Sequence, residues 1–210
     1  MLYRLEDIER DVRVALDQNE VDSQLAGIGD IDTLQLNELI RSKIEQAVDS
    51  VESVAPLKLL ESGHNFGEEL YWEGNGIGFV LLPDDFRRLV SFKMSDWDMA
   101  VYSPIGPEYP LYGRQRSAIA AVRGNVHHPV CAIVPRAEGM ALEFFASRDE
   151  NATVVQAVYI PRREIDKEGR IDFSEKCYNA VVVYTAAMVL MALGSDAWKG
   201  YEELSKTLMQ

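Results

Sequence analysis

The hydrophobic period of the chain changes twice. Leu5, Ile8, Val12 and Leu16, and then Leu36, Ile40, Ile44, Ala47, Val48 and Val51, recur at three- and four-residue steps. That spacing puts each set on one face of a helix. Helices are expected over roughly Leu2–Asp17 and Thr33–Val54, joined by the loop Val21–Asp32 with its Gly27 and Gly29. Asp32, with Gln35 three residues on, has the form of a capping box, and Ala55-Pro56 supplies the stop. From Leu57 the apolar residues alternate instead. Strands are expected over Leu57–Leu60, Glu69–Trp72, Ile77–Leu82, Leu89–Met94, Trp97–Val101, Val130–Val134, Met140–Ala146 and Thr153–Ile160.

The turns between these strands follow from local chemistry. Asn75-Gly76 favours a tight hairpin, and Glu138-Gly139 and Arg148-Asp149-Glu150-Asn151 mark two more. In Val90-Phe92-Met94 and Met140-Leu142-Phe144 the large side chains fall on one face, as a half-exposed antiparallel sheet requires. Pro104, Pro107 and Pro110 impose an extended lead-in to a short helix expected at Gln115–Val122. Helical spacing returns after Pro161. Ser174 is placed to cap a helix over Glu175–Leu193, which is apolar nearly all round and so belongs at the centre of a bundle. Gly194 ends it, and a last helix from Asp196 presents Trp198, Tyr201, Leu204 and Leu208. The expected fold class is α+β: residues 1–56 and 162–210 form a bundle of terminal helices, and 57–161 a central, mainly antiparallel β-rich insert.

Composition supports a packed core. Of 210 residues, 47% are hydrophobic, with three Trp and nine Tyr, the opposite of a disordered chain. The net charge of −13 argues against a general DNA-binding or anionic-membrane surface. The charge is uneven. Residues 1–55 carry thirteen acidic and five basic side chains, whereas 109–137 contain Arg114, Arg116, Arg123 and Arg136 and no acid. Acidic and basic segments of this kind suit either a contact between copies or plain solvation. Cys131 and Cys177 sit among apolar neighbours and read as buried thiols in a reducing compartment. The N-terminus turns acidic before any apolar run develops, so no signal peptide is expected. Ala180–Leu193 is too short for a bilayer, which takes ~20 residues, so a soluble protein is expected.

Candidate chemistry is sparse. Gly74-Asn75-Gly76-Ile77-Gly78 leads into a strand, whereas a phosphate loop needs a helix N-terminus directly after its glycines. His127, His128 and Cys131 lack the second spaced pair of a zinc site, and His64 stands alone. Asp84 and Asp85 diverge on a helical turn opened by Pro83, where the positive helix end favours anions. No catalytic residue, metal or cofactor is expected. Arg114, Arg116 and Arg123, near Tyr109 and Tyr112, suit a protein interface, a solvated loop or a nucleic-acid patch, with the overall acidity opposing the last. The stripe Trp198-Tyr201-Leu204-Leu208 reads as core or as a helix that docks on a partner.

One run of residues points further. Leu81-Leu82-Pro83-Asp84-Asp85-Phe86-Arg87-Arg88-Leu89-Val90, followed by Ser95-Asp96-Trp97, resembles the head-to-tail adaptors of tailed phages. In particular it resembles the ring-forming gatekeeper or tail tubular protein A-like family, with relatives in phages of Bacteroides-type hosts. The likeness covers roughly residues 68–193 and extends to Tyr71-Trp72, Pro129-Val130-Cys131-Ala132, Val158-Tyr159-Ile160-Pro161 and Tyr178 to Ala186. The terminal segments lie outside it. The resemblance implies a structural virion protein that is not an enzyme. It also implies a closed, twelvefold ring of copies beneath the portal protein, with a tail nozzle protein below and DNA only as passing cargo. The site would be the virion neck, assembled in the host bacterial cytoplasm, with no membrane partner. Two rivals stand beside it. One is a small protein-binding module acting through the β insert or the C-terminal helix. The other is an enzyme using Asp84, Asp85, His127 or His128.

Overall fold

A computed structural model describes residues 1–18, 32–61, 63–117, 119, 122–148 and 150–210. The expected loop Val21–Asp32 lies largely outside them. The capping-box side chains of Asp32 and Gln35 are likewise not described. The fold is α+β, with helices from both ends of the chain packed together and antiparallel β structure between them. It divides into two compact units, Met1–Glu61 with Arg162–Gln210, and Ser62–Pro161.

In the helical unit the chain opens not with helix but with strand β1, Leu2–Arg4, which pairs antiparallel with β9, Arg170–Asp172. Helix α1, Leu5–Gln18, begins where the Leu5 amide reaches the Gly169 carbonyl (3.0 Å) and β pairing ends. Helix α2 spans Asp32–Val54. Leu57–Leu59, expected as strand, is a single 3-10 turn in this unit, with the Leu59 and Leu60 amides bonding back to Pro56 and Leu57. Helix α4, Tyr178–Ala192, is central and touches α1, α2 and α5, Trp198–Leu208. Its Ala180, Val181, Ala186, Ala187 and Val189 are buried, as are Ile8 and Val12 of α1 and Ile40, Ile44 and Val48 of α2. Ser174 precedes a 3-10 turn, Glu175–Cys177, and makes no side-chain cap; its hydroxyl donates to the Leu59 carbonyl instead. Gly194, at φ +75°, closes α4 in a left-handed cap, with Ser195 N–H bonding the Leu190 carbonyl.

The β unit holds two sheets. One has the order β2–β8–β5 (His64–Asn65, Val154–Pro161, Phe86–Met94). The other has the order β3–β4–β7–β6 (Leu70–Gly74, Ile77–Leu81, Gly139–Phe144, Cys131–Arg136), and every pairing is antiparallel. Their inner faces share one core, in which Phe92 of β5 stacks on Phe144 of β7 at 6.0 Å and Trp72 and Trp97 meet Phe144 edge-on. The Asn75-Gly76 hairpin forms with both residues at positive φ. A Cβ on Gly76 would lie 2.0 Å from the Ser147 carbonyl oxygen, so only glycine fits.

Two local expectations give way here. Pro83–Phe86 closes as a tight turn (Phe86 N–H to Pro83 carbonyl, 2.9 Å) and not as a helical turn, because β5 starts at Phe86 to pair with Pro161. Trp97–Val101 is not a strand. The Trp97 amide turns back to Met94 and the Asp98 amide bonds Val126, leaving only Val101 to bridge Phe92.

Candidate interaction surface

The outer face of the four-stranded sheet carries Tyr71 and Glu73 (β3), Ile77 and Phe79 (β4), Ala141 and Glu143 (β7), and Ala132, Val134 and Arg136 (β6), as strand alternation and register dictate. Part of this face is covered by a strap, described over residues 102–117, 119 and 122–130. Ile105 of the strap exchanges backbone hydrogen bonds with β6, its amide to Cys131 and its carbonyl from Ile133, both 2.9 Å. A single helical turn, α3 (Tyr112–Gln115), follows. It starts three residues earlier than the helix expected over Gln115–Val122. Tyr112, Gln115 and Arg116, at i, i+3 and i+4, turn their side chains inward, Arg116 remaining 45% exposed, and Leu111 and Arg114 face out. The Tyr112 ring meets Phe145 at 6.1 Å, and Gln115 is buried, accepting from the Gly124 amide at 2.8 Å.

Beneath the strap lies a compact charge cluster. Glu143 is 2% exposed. It accepts from Tyr112 Oη (3.0 Å), Arg116 Nη2 (2.9 Å) and Arg136 Nη2. Glu73 bridges the same two guanidiniums, Arg136 at 2.6 Å and Arg116 at 3.1 Å. The Arg136 guanidinium lies 3.9 Å above the Phe79 ring centroid. Burial pushes the Glu73 carboxyl up, but hydrogen bonds and charge from Arg136 and Arg116 together carry it below its ordinary value. Burial and the Glu143 carboxylate both push the Tyr112 hydroxyl up.

The basic segment thus divides. Arg116 and Arg136 are paired inside the β unit. Arg114 is exposed and Arg123 half-buried, and neither has a side-chain partner among the described residues. The strap also leaves Tyr102, Tyr109, Leu111, Ile119 and Val122 in water, Tyr102 at 62% and Ile119 at 64%. On α5, Tyr201 is buried and donates to the Ala15 carbonyl (2.9 Å), and Trp198 is half-buried. Leu204 and Leu208 are 47% and 42% exposed. The buried side of this helix is Tyr201 and Ser205, with Met209 just beyond, and so only one member of the expected stripe is fully covered.

The remaining candidates are dispersed. Asp85 accepts from the Tyr159 hydroxyl (2.8 Å), which burial first and then that carboxylate push up to about 12. Asp84 lines a groove of about 520 Å³ with Arg87, Glu138 and Met140. His127 pairs with Asp98, and Asn125 Oδ1 accepts the backbone amides of His127 and His128, fixing a turn. His64 meets the Tyr159 ring edge-on at 5.9 Å. Cys131 and Cys177 are buried free thiols, the second pushed up to about 11 chiefly by burial. Among the described residues no three metal-ligating side chains converge, and no helix is long and apolar enough to cross a membrane. No protein-family model matches the chain, and comparison with curated proteins returns no significant match.

Glu73 and Glu143 escaped notice in the sequence. The available signal was Phe145. It continues the Ala141–Glu143 face of β7 with a large apolar side chain and marks that face as covered.

Proposed function

We propose that this chain is a non-catalytic assembly protein, a head-to-tail adaptor whose copies join side by side in a ring between portal and tail. The observation that carries this is the set of exposed apolar side chains on the strap, Tyr102, Tyr109, Leu111, Ile119 and Val122, in the same segment as the exposed Arg114. Exposed apolar side chains on an anchored segment mark a contact surface, and Tyr and Arg are enriched at protein interfaces. Glu6, Glu38 and Glu45 on the exposed sides of α1 and α2 offer the complementary charge. A contact between two different patches of one chain closes into a ring when the rotation per copy divides a full turn. The resemblance over residues 68–193 supports the setting: portal above, tail nozzle below, DNA passing through. An acidic lumen suits that passage, because no counterions are released by phosphate contacts.

The test mixes the chain with a tailed-phage portal protein and images the product by cryo-electron microscopy. The isolated chain stays monomeric, and an added ring forms on the portal. Arg114→Glu with Arg123→Glu weakens that ring, as does moderate salt. Absence of any ring across the salt series overturns the proposal. A second function, a module that docks a partner through α5, is favoured by Leu204 and Leu208, exposed one turn apart. It leaves the chain a monomer that ignores the portal.

A further inference from the structure

We infer that Glu143 is a latch that holds the outward surface of the strap in its association-competent shape. This rests on the assembly role proposed above, and the structural half of its test does not. Helix α3 is one turn of four residues, far too short to persist without tertiary support. Its outward side chains, Leu111 and Arg114, are therefore aimed by whatever grips its inward ones. Two of the three inward groups, Tyr112 and Arg116, end on the same buried carboxylate, one on each oxygen of Glu143. The sheet supplies the rest of the cluster: Glu143 and Glu73 as anions, Arg136 as the second cation, and Phe79 as its platform.

The cluster is balanced only when the strap is seated. With Arg116 in place, two carboxylates meet two guanidiniums. With the strap lifted, Glu143 and Glu73 share Arg136 alone, and Glu143 loses both strap donors. Lifting also admits water to Glu143, so the seated state is favoured by the margin of these charge-assisted hydrogen bonds over hydration. The other attachments are the backbone exchange at Ile105, the Tyr112–Phe145 ring contact, the Arg116–Glu73 bridge and the buried Gln115, which accepts from the Gly124 amide. Gln115 ties the turn to the strap's own later residues. Glu143 ties it to the sheet, taking two side chains one helical turn apart.

Hydrogen exchange on the full chain tests this with Glu143→Gln and Arg116→Met. Amides within 105–116 exchange at least roughly tenfold faster in both variants, and amides in β8 and α4 change by less than about twofold, the pattern of local opening. Assembly on the portal protein, read by sedimentation, weakens in the same two variants. Should Glu143→Gln unfold the β unit, Arg116→Met carries the test, since it removes only the partly exposed end of the cluster. Unchanged protection over 105–116 in Arg116→Met overturns the latch. Faster exchange with full assembly overturns its control of association. If the unaltered chain forms no ring at all, the adaptor role fails, and the exchange measurement still decides the latch.

Discussion

Each unit buries a carboxylate, and the two are served differently. In the helical unit Glu52, 2% exposed, faces one guanidinium, Arg163 at 3.0 Å, and accepts weakly from the Ser174 amide at 3.4 Å. In the β unit Glu143 and Glu73 share two guanidiniums, and Glu143 also accepts from the Tyr112 phenol. Burial raises Glu52 above its ordinary 4.5, and Arg163 and Ser174 offset that only in part. Burial raises Glu73 as well, yet two arginines bring it below the same value. The difference teaches that partner number and depth act together: Glu73, held by two cations, is also 28% exposed at its side chain, against 2% for Glu52.

Removing the lone partner is therefore the most damaging change. Arg163→Met leaves Glu52 buried without a cation and is expected to cost the helical unit about 3–5 kcal/mol in chemical denaturation. Replacing the pair together, Glu52→Leu with Arg163→Met, recovers most of that loss, since well-packed apolar side chains of similar volume often equal or exceed a buried ion pair. A double variant as unstable as the single would show that Arg163 acts through Asp172 (3.6 Å) and not through Glu52.

Acidification separates the units with the smallest effect. Glu52 has a raised folded value, so its ionised form costs stability above 4.5, and the cost is relieved as pH falls through that raised value. Glu73 has a lowered folded value. Its contribution is complete above 4.5 and is lost as pH falls through the lowered value. Acidification from neutral pH to 4.5 steadies the helical unit through Glu52; below 4.5 the β unit weakens. Fluorescence of Trp72 and Trp97 against that of Trp198, each in a single-Trp variant, reads the two units apart. A β unit that gains stability below 4.5 would break the comparison.

Local rules made the helices readable, since Ile8, Val12 and Leu16, and the all-round apolar α4, each carry their pattern within one segment. The hairpin at Asn75-Gly76 was readable for the same reason. Strands β1 and β9 were not, because Tyr3 and Ile171 pair across most of the chain and neither segment alternates far enough to announce itself. Trp97–Val101 alternates like a strand, but its two apolar ends are drawn into the core by turns. The candidate surface was half legible. Its arginines stood out in a segment without acids. Alternation cannot show that a strap folds over the second face of a sheet, so Arg116 could not be told from Arg114. The four-residue α3 was displaced for a related reason: its inward contacts, not its helix propensity, place it.

The discontinuity of the helical unit has a consequence during synthesis. The β unit is one uninterrupted run and closes as soon as Pro161 has left the ribosome. Helices α1 and α2 are made first, yet their stripes stay uncovered until α4 emerges more than a hundred residues later. At ordinary translation speeds that is a wait on the order of ten seconds, in which the acidic flanks of these two helices are what keeps nascent chains from sticking to one another.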